Sequence, residues 1–183
     1  VNQAIDRLIY YAGWCDKYTA LFSSVNPTAS AHFNFTAHEP TGVVAAVAPE
    51  NGALRGLIQV VAPIICGGNT LVILASTSKG TSAISFAEVI QNSDVPGGVI
   101  NILTGQMNEL TLHMASHMDV NAMVVAREGL DDGSRDAVIE NVKRFSDWSG
   151  SEIDANPYRI LDFQEAKTTW HPVQTSTGNS VGY

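Results

Sequence analysis

Four short apolar runs constrain this chain more than any other feature: GVVAAVA (42–48), TLVIL (70–74), GVINIL (98–103) and NAMVV (121–125). None shows helical alternation, and each is bounded by Gly, Pro, Asn or Thr, so each predicts a buried strand. Between them lie stretches with apolar residues three and four apart, predicting helices over Leu54 to Ile65, Ser82 to Gln91 and Leu110 to His117. Strands alternating with helices of this length imply a parallel sheet with right-handed crossovers and both faces covered. Before the first run, Asn2 to Leu21 predicts one helix with an apolar face and His32 to Thr36 (HFNFT) an alternating extended segment. After the last, Ser134 to Phe145 predicts a polar-faced helix.

The first run stops at Pro49, and Pro49-Glu50-Asn51-Gly52 follows directly. Asn51 therefore stands where a strand passes into a helix, and in open α/β sheets ligands meet the protein at the carboxyl ends of strands beside helix N-termini. The same tetrapeptide also reads as a turn whose asparagine caps the next helix. Pro63, inside that helix, predicts a bend or a position near its last turn.

With 183 residues and 45% hydrophobic content the chain can bury one good core. A net charge of -8 with only 10 Lys and Arg argues against nucleic acid and anionic membranes as partners. The longest apolar run, Leu57 to Cys66, is too short to span a bilayer, and no secretory signal pattern opens the sequence. Two cysteines, Cys15 and Cys66, fit a reducing compartment, so the expected location is cytoplasmic. The start at Val1 rather than Met reads as an N-terminally incomplete sequence.

Ser149 to Pro157 has the composition of a linker, and Tyr158 to Val173 mixes Ile160, Phe163 and Trp170 with charges in a pattern suited to an edge strand. The apolar residues of that strand are expected to be available to another chain, so that deleting Tyr158 to Tyr183 leaves a folded monomer. Gly178 to Gly182 is expected to fray. His113 and His117, four apart, lack the acidic residue that a zinc hydrolase pattern needs, so no metal site is assigned. Asp131-Asp132-Gly133 predicts a turn before the last helix, and Trp14, Trp148 and Trp170 are read as packing residues.

A set of motifs carries a resemblance. Ala12-Gly13-Trp14 with Asp16-Lys17, Glu39-Pro40-Thr41-Gly42-Val43-Val44, Pro49-x-Asn51, Gly68-Asn69-Thr70, Pro96 to Gly105 (PGGVINILTG) and Ala115 to Val120 (ASHMDV) resemble, in order and spacing, the NAD-binding domain of the aldehyde dehydrogenase superfamily. Leu161 to Pro172 (LDFQEAKTTWHP) resembles that superfamily's C-terminal oligomerisation strand. The Trp170-His171-Pro172 ending looks like the catalytically incomplete second copy of its two-copy subfamily. The resemblance implies a Rossmann-like α/β fold, plus a small β oligomerisation element built from residues near 32–36 and the C-terminal tail. It divides the chain into an NAD-binding-like domain (1–148), a linker (149–157) and an oligomerisation strand with its tail (158–183).

In that superfamily a cysteine thiolate attacks the aldehyde, hydride passes to the nicotinamide, and a glutamate-activated water releases the acid. By resemblance Asn51 takes the oxyanion position, Pro49, Asn51, Ser76 and Gly105 line the cofactor site, and NAD or NADP is the cofactor. Neither Cys15 nor Cys66 matches the nucleophile. Leu74-Ala75-Ser76-Thr77 stands in place of the lysine and glutamate that contact the ribose. Lys79 lies off register, Glu109 opposes phosphate at a helix start, and Val125-Ala126-Arg127-Glu128 replaces a small-residue pattern. Weak or absent cofactor binding is therefore expected. The implied function is a structural or regulatory subunit, oxidising no aldehyde by itself and forming a homo- or hetero-oligomer with complete aldehyde dehydrogenase subunits. The alternative is an NAD(P)-dependent oxidoreductase acting on aldehydes, its nucleophile supplied by a partner chain or by sequence outside this stretch.

Overall fold

The four apolar runs fold as neighbours in one sheet. The computed structural model describes residues 1–150 and 154–173. In chain order its elements are α1 (Asn2–Ala12), α2 (Tyr18–Phe22), β1 (Ser24–Asn26), β2 (His32–Pro40), β3 (Val43–Val47), α3 (Ala53–Cys66), β4 (Thr70–Leu74), α4 (Gly80–Gln91), β5 (Ile100–Leu103), α5 (Met107–Ser116), β6 (Ala122–Val125), α6 (Asp132–Glu140), β7 (Arg144–Asp147), α7 (Tyr158–Leu161) and β8 (Gln164–Pro172). A parallel sheet of order β5-β4-β3-β6-β7 forms the body, and a second sheet of order β1-β2-β8 is antiparallel.

Strand pleating sends alternate residues of β3 to opposite faces. Val44 and Ala46 join Leu57, Val60, Val61 and Ile64 of α3 on one face, whereas Ala45 and Val47 meet Met114 and Ala115 of α5 and Ala137 and Val138 of α6 on the other. Small residues at the centre of β3 let both helix layers approach, and the strand is almost wholly shielded from solvent. A further layer forms where Ala4 and Tyr11 of α1 pack on Ile58 and Ala62 of α3.

Several boundaries differ from the sequence reading. The expected Asn2 to Leu21 helix breaks after Ala12, where Trp14, Cys15 and Lys17 donate to the carbonyls three residues back and tighten the chain into turns. GVINIL is extended only from Ile100, and the helix expected from Leu110 starts at Met107 and ends at Ser116. The expected helix to Phe145 stops at Glu140. Val142 takes φ 52, and Arg144–Asp147 forms a fifth parallel strand beside β6. Lys143 explains the stop: its buried ammonium donates to the carbonyls of His117 (2.7 Å) and Val120 (2.6 Å), which a continued helix would not place within reach. Asp131 caps α6, accepting from the Ser134 N–H at 2.8 Å, as the Asp-Asp-Gly turn predicted.

The tail shows the largest difference. It opens with α7, and Ile160 and Phe163 are fully buried in this chain's own core, Phe163 lying 5.6 Å from the Trp148 ring. They are not available to another chain, and the body is not closed without them. β8 pairs with β2 along nine residues, from Gln164 opposite Pro40 to Pro172 opposite His32. The seam carries a Lys167–Glu39 ion pair at 3.0 Å and a Thr36–Thr168 hydroxyl bond at 2.9 Å. Part of the 149–157 stretch, and Gly178 to Gly182, lie outside the described residues.

Asn69 joins body and tail. Buried between α3 and β4, its Oδ1 accepts from the Gly42 N–H (3.0 Å) while its Nδ2 donates to the carbonyls of Ile64 (3.2 Å) and Phe163 (3.0 Å). Gln164 adds a bond from Nε2 to the Gly67 carbonyl at 2.8 Å. Gly42 must lack a side chain here: a Cβ would sit 2.4 Å from Asn121 Oδ1, and the residue holds φ 127.

Candidate functional site

Pro49 ends β3, and Gly52 (φ 92) with Ala53 (φ 45) re-aims the chain into α3. The turn is tight because Gly56 lies beneath it; a Cβ there would meet the Asn51 carbonyl oxygen at 2.7 Å. The cap of α3 is Gly52 and makes no side-chain cap bond, so the alternative reading of Asn51 as a helix cap is not what forms. Asn51 is exposed and borders a hollow of about 660 Å³ shared with Pro49, Thr77, Gln106, Met107 and Arg127. This hollow opens at the carboxyl ends of the parallel strands, where the topology places ligand sites.

Glu50 organises that end of the sheet. Its carboxylate accepts from the backbone N–H groups of Thr77 (3.1 Å) and Ser78 (2.8 Å) and from Ser76 Oγ (3.1 Å), and it pairs with the nine-tenths buried Arg127 guanidinium. Hydrogen bonding by the Ser78 side chain, then by the Ser78 and Thr77 amides and the Ser76 hydroxyl, outweighs desolvation and holds the Glu50 carboxyl at about 2. Two further guanidinium nitrogens of Arg127, Nε and Nη2, are buried without a hydrogen-bond partner.

The residues read from sequence as site residues fall in two groups. Pro49 and Asn51 line the hollow. Ser76 is buried and donates its hydroxyl to Glu50, to the backbone carbonyl at 3.0 Å as well as the carboxylate. Gly105 offers its carbonyl to Thr77 Oγ1 at 3.3 Å, and Leu110 Cδ1 would lie 2.8 Å from any Cβ there. Glu109 sits in the first turn of α5, whose cap residue Gln106 makes no side-chain bond.

The Glu50–Arg127 pair is what the sequence reading missed. A signal was present: Glu50 and Arg127 each follow the end of a strand, and those strands, β3 and β6, are neighbours. Both cysteines lie elsewhere. Cys66 closes α3 at the end opposite Asn51, separated from it by a helix of 14 residues, about 20 Å at 1.5 Å per residue. Burial, reinforced by Cys15, pushes its thiol up to about 12. Of the pair His113 and His117, His117 accepts the Asp119 N–H at Nδ1 (3.2 Å). Trp148 packs in the core, whereas Trp170 is more than half exposed.

The model of the aldehyde dehydrogenase family matches residues 1–126. The chain is similar to retinal dehydrogenase 2 of Mus musculus, 36% identical over 117 residues that cover 64% of this chain and 22% of that protein. Among solved structures it is similar to PnpE from Pseudomonas sp. WBC-3, with a TM-score of 0.76 and 26% identity over 82% of this chain and 31% of that one. An NAD+ complex of aldehyde dehydrogenase from Bacillus cereus shares the fold, with a TM-score of 0.73 at 23% identity over 81% of this chain and 30% of that chain. The chain thus spans about a fifth of the length of the curated relatives it matches.

Proposed function

Since the chain belongs to the aldehyde dehydrogenase family, we propose that it acts as a non-catalytic structural or regulatory subunit that assembles with a complete aldehyde dehydrogenase. The observation carrying this reading is the separation of Asn51 from both thiols of the sequence along the whole of α3. An asparagine amide can donate to an oxyanion, but acyl chemistry of this kind needs a thiolate about 3 Å from the same carbon. Neither cysteine of this chain is placed to supply one.

Cofactor chemistry is weakened at the same end. The Thr77 and Ser78 amides that could meet a phosphate already hold Glu50, the spare Arg127 nitrogens are buried, and Glu109 and Glu128 add negative charge. This donor set does not fit a dinucleotide, so NAD and NADP are expected to bind weakly. We assign the domain role to residues 1–148, completed by the buried Ile160 and Phe163, the linker to 149–157, and the association role within 158–183 to β8. The partly exposed Phe33 and Trp170 on the β1-β2-β8 sheet favour association there. Two unjoined thiols fit a cytoplasmic setting.

One observation favours a second reading, an NAD(P)-dependent oxidoreductase acting on aldehydes whose nucleophile comes from a partner chain: the Asn51 side chain is exposed at the hollow and open to a reacting carbonyl. Co-expression with a complete aldehyde dehydrogenase, followed by size exclusion with light scattering, tests the subunit reading. Co-elution as one complex is expected, and separate elution overturns it. Titration of the purified chain with NAD and NADP in a calorimeter separates the two readings. Micromolar binding together with steady NADH formation from an aldehyde would establish the second.

A further inference from the structure

The two cysteines of the chain, 51 positions apart in sequence, meet. Cys15 lies in the turn between α1 and α2, Cys66 is the last residue of α3, and their Sγ atoms are 3.6 Å apart. Both thiols are directed at one acceptor, the Tyr11 carbonyl, at 3.6 Å from Cys15 and 3.2 Å from Cys66. The shared carbonyl holds the sulfurs on the same side of the α1–α3 contact, which Tyr11 and Ala62 pack from within. Cys15 is exposed and Cys66 half-buried, so one sulfur faces solvent and the other waits behind it. No group of three His, Cys, Asp or Glu side chains that could hold a metal is found among the described residues, so the pair lacks the further ligands that a structural metal needs.

We propose that Cys15 and Cys66 form a reversible two-thiol oxidation site whose oxidant is a small peroxide, with hydrogen peroxide as the simplest case. The sulfur of Cys15 attacks one peroxide oxygen, the O–O bond breaks, and Cys15 becomes a sulfenic acid while the departing oxygen leaves as water with the thiol proton. Cys66 then attacks the sulfenyl sulfur. An S–S bond forms, the S–O bond breaks, and the oxygen leaves as a second water with the Cys66 proton. Two thiols are oxidised by two electrons and one peroxide is reduced to two waters. A dithiol reductant reverses the bond by exchange. The order follows from access: Cys15 is exposed and Cys66 is screened behind it, so the peroxide meets Cys15 first. Its resolving step needs no approach through solvent, because the partner sulfur is already in contact.

The bridge would staple the α1–α2 turn to the end of α3, closing a long loop that includes β1, β2 and β3. Hydrogen peroxide is added to the full chain, remaining thiols are alkylated, and the products are read by intact mass, peptide mapping and melting. Expected are a peptide linking Cys15 to Cys66, loss of both alkylation sites, and a Tm rise of about 5–10 °C, as a loop this long confers, abolished by dithiothreitol. Cys15→Ser, an exposed change, should melt like the reduced parent, leave Cys66 alkylatable after peroxide, and show no rise. Sulfinic acid on Cys15 with Cys66 still alkylatable, a dimer joined through Cys15, or two unreacted thiols would each overturn the proposal.

Discussion

The two ends of α3 are built on opposite plans. At its C-terminal end a neutral, buried amide, Asn69, spends every polar atom on backbone groups of three different segments. At its N-terminal end a carboxylate, Glu50, reaches across the strand ends to two amides, a hydroxyl and an arginine, with 39% of its side chain exposed. The first arrangement has no freedom to exchange a partner without leaving an unsatisfied group in the core. The second is a charged cluster at the mouth of a hollow, where solvent softens each interaction. One end therefore secures the fold, and the other sets a charged cluster at the rim of the hollow.

Four substitutions test this contrast, beginning with the greatest effect. Phe163→Ala should cost about 3–5 kcal/mol in urea denaturation, because a fully buried ring against Trp148 is replaced by a cavity. A cost near zero would mean that the tail is not part of the core. Asn69→Ala comes next. It strands the Gly42 N–H in the interior and removes one donor each from the Ile64 and Phe163 carbonyls, which keep the Asn69 N–H and the Thr41 N–H respectively, and should lower stability by about 1–3 kcal/mol. Adding Phe163→Ala to it should cost less than the sum, since Asn69 holds the backbone carbonyl of Phe163 and either change loosens the packing that supports the other.

At the other end, Glu50→Gln should lower stability by only about 1 kcal/mol at neutral pH, a figure reduced for the partial exposure of the carboxylate. Its pH dependence is the sharper test. The folded-state pKa of about 2 lies below the ordinary 4.5, so the Glu50 contribution is fully present above about 4.5 and is lost as the pH falls through about 2. The difference in melting temperature between parent and variant should shrink across that window and stay constant above it. Asn51→Ala is the smallest change. An exposed side chain that caps nothing should shift stability by less than about 0.5 kcal/mol, and a circular-dichroism melt showing a larger loss would place Asn51 among the structural residues.

What could be read from the sequence follows the same division. The inner strands β3, β4 and β6 were legible because both faces of a parallel sheet must be apolar, which leaves an unbroken run such as TLVIL, whereas the run expected as a buried β5 forms an edge strand with Asn101 exposed. The fifth strand, Arg144–Asp147, was not legible. It lies at the sheet edge with one partner, carries Arg and Asp at its ends, and continues a helical spacing that only the left-handed Val142 interrupts. α7 was hidden because four residues, Tyr158–Leu161, are too few to show a period. At the site, Pro49 and Asn51 could be placed from the strand-to-helix crossing alone. The partners of Glu50 could not, because they lie 26 to 28 positions away at the end of β4 and 77 away at the end of β6. Pairings over such separations are settled by strand order, which local pattern does not encode.

The β2–β8 seam also has a consequence in time. Pro40 is synthesised long before its partner Gln164, and His32 earlier still than Pro172. At ordinary elongation rates β2 waits on the order of ten seconds with one row of amides and carbonyls open to any passing strand. β1 occupies its opposite edge almost at once, through Val25 and Phe35. The nascent chain thus depends on the composition of β2 to survive the interval. His32, Asn34, Thr36, His38 and Glu39, polar residues at alternating or terminal positions, and a closing Pro40 all discourage adhesive contact between unfinished molecules. The edge is covered only when β8 emerges, so the interval between the two strands sets how long the nascent chain relies on that polar pattern.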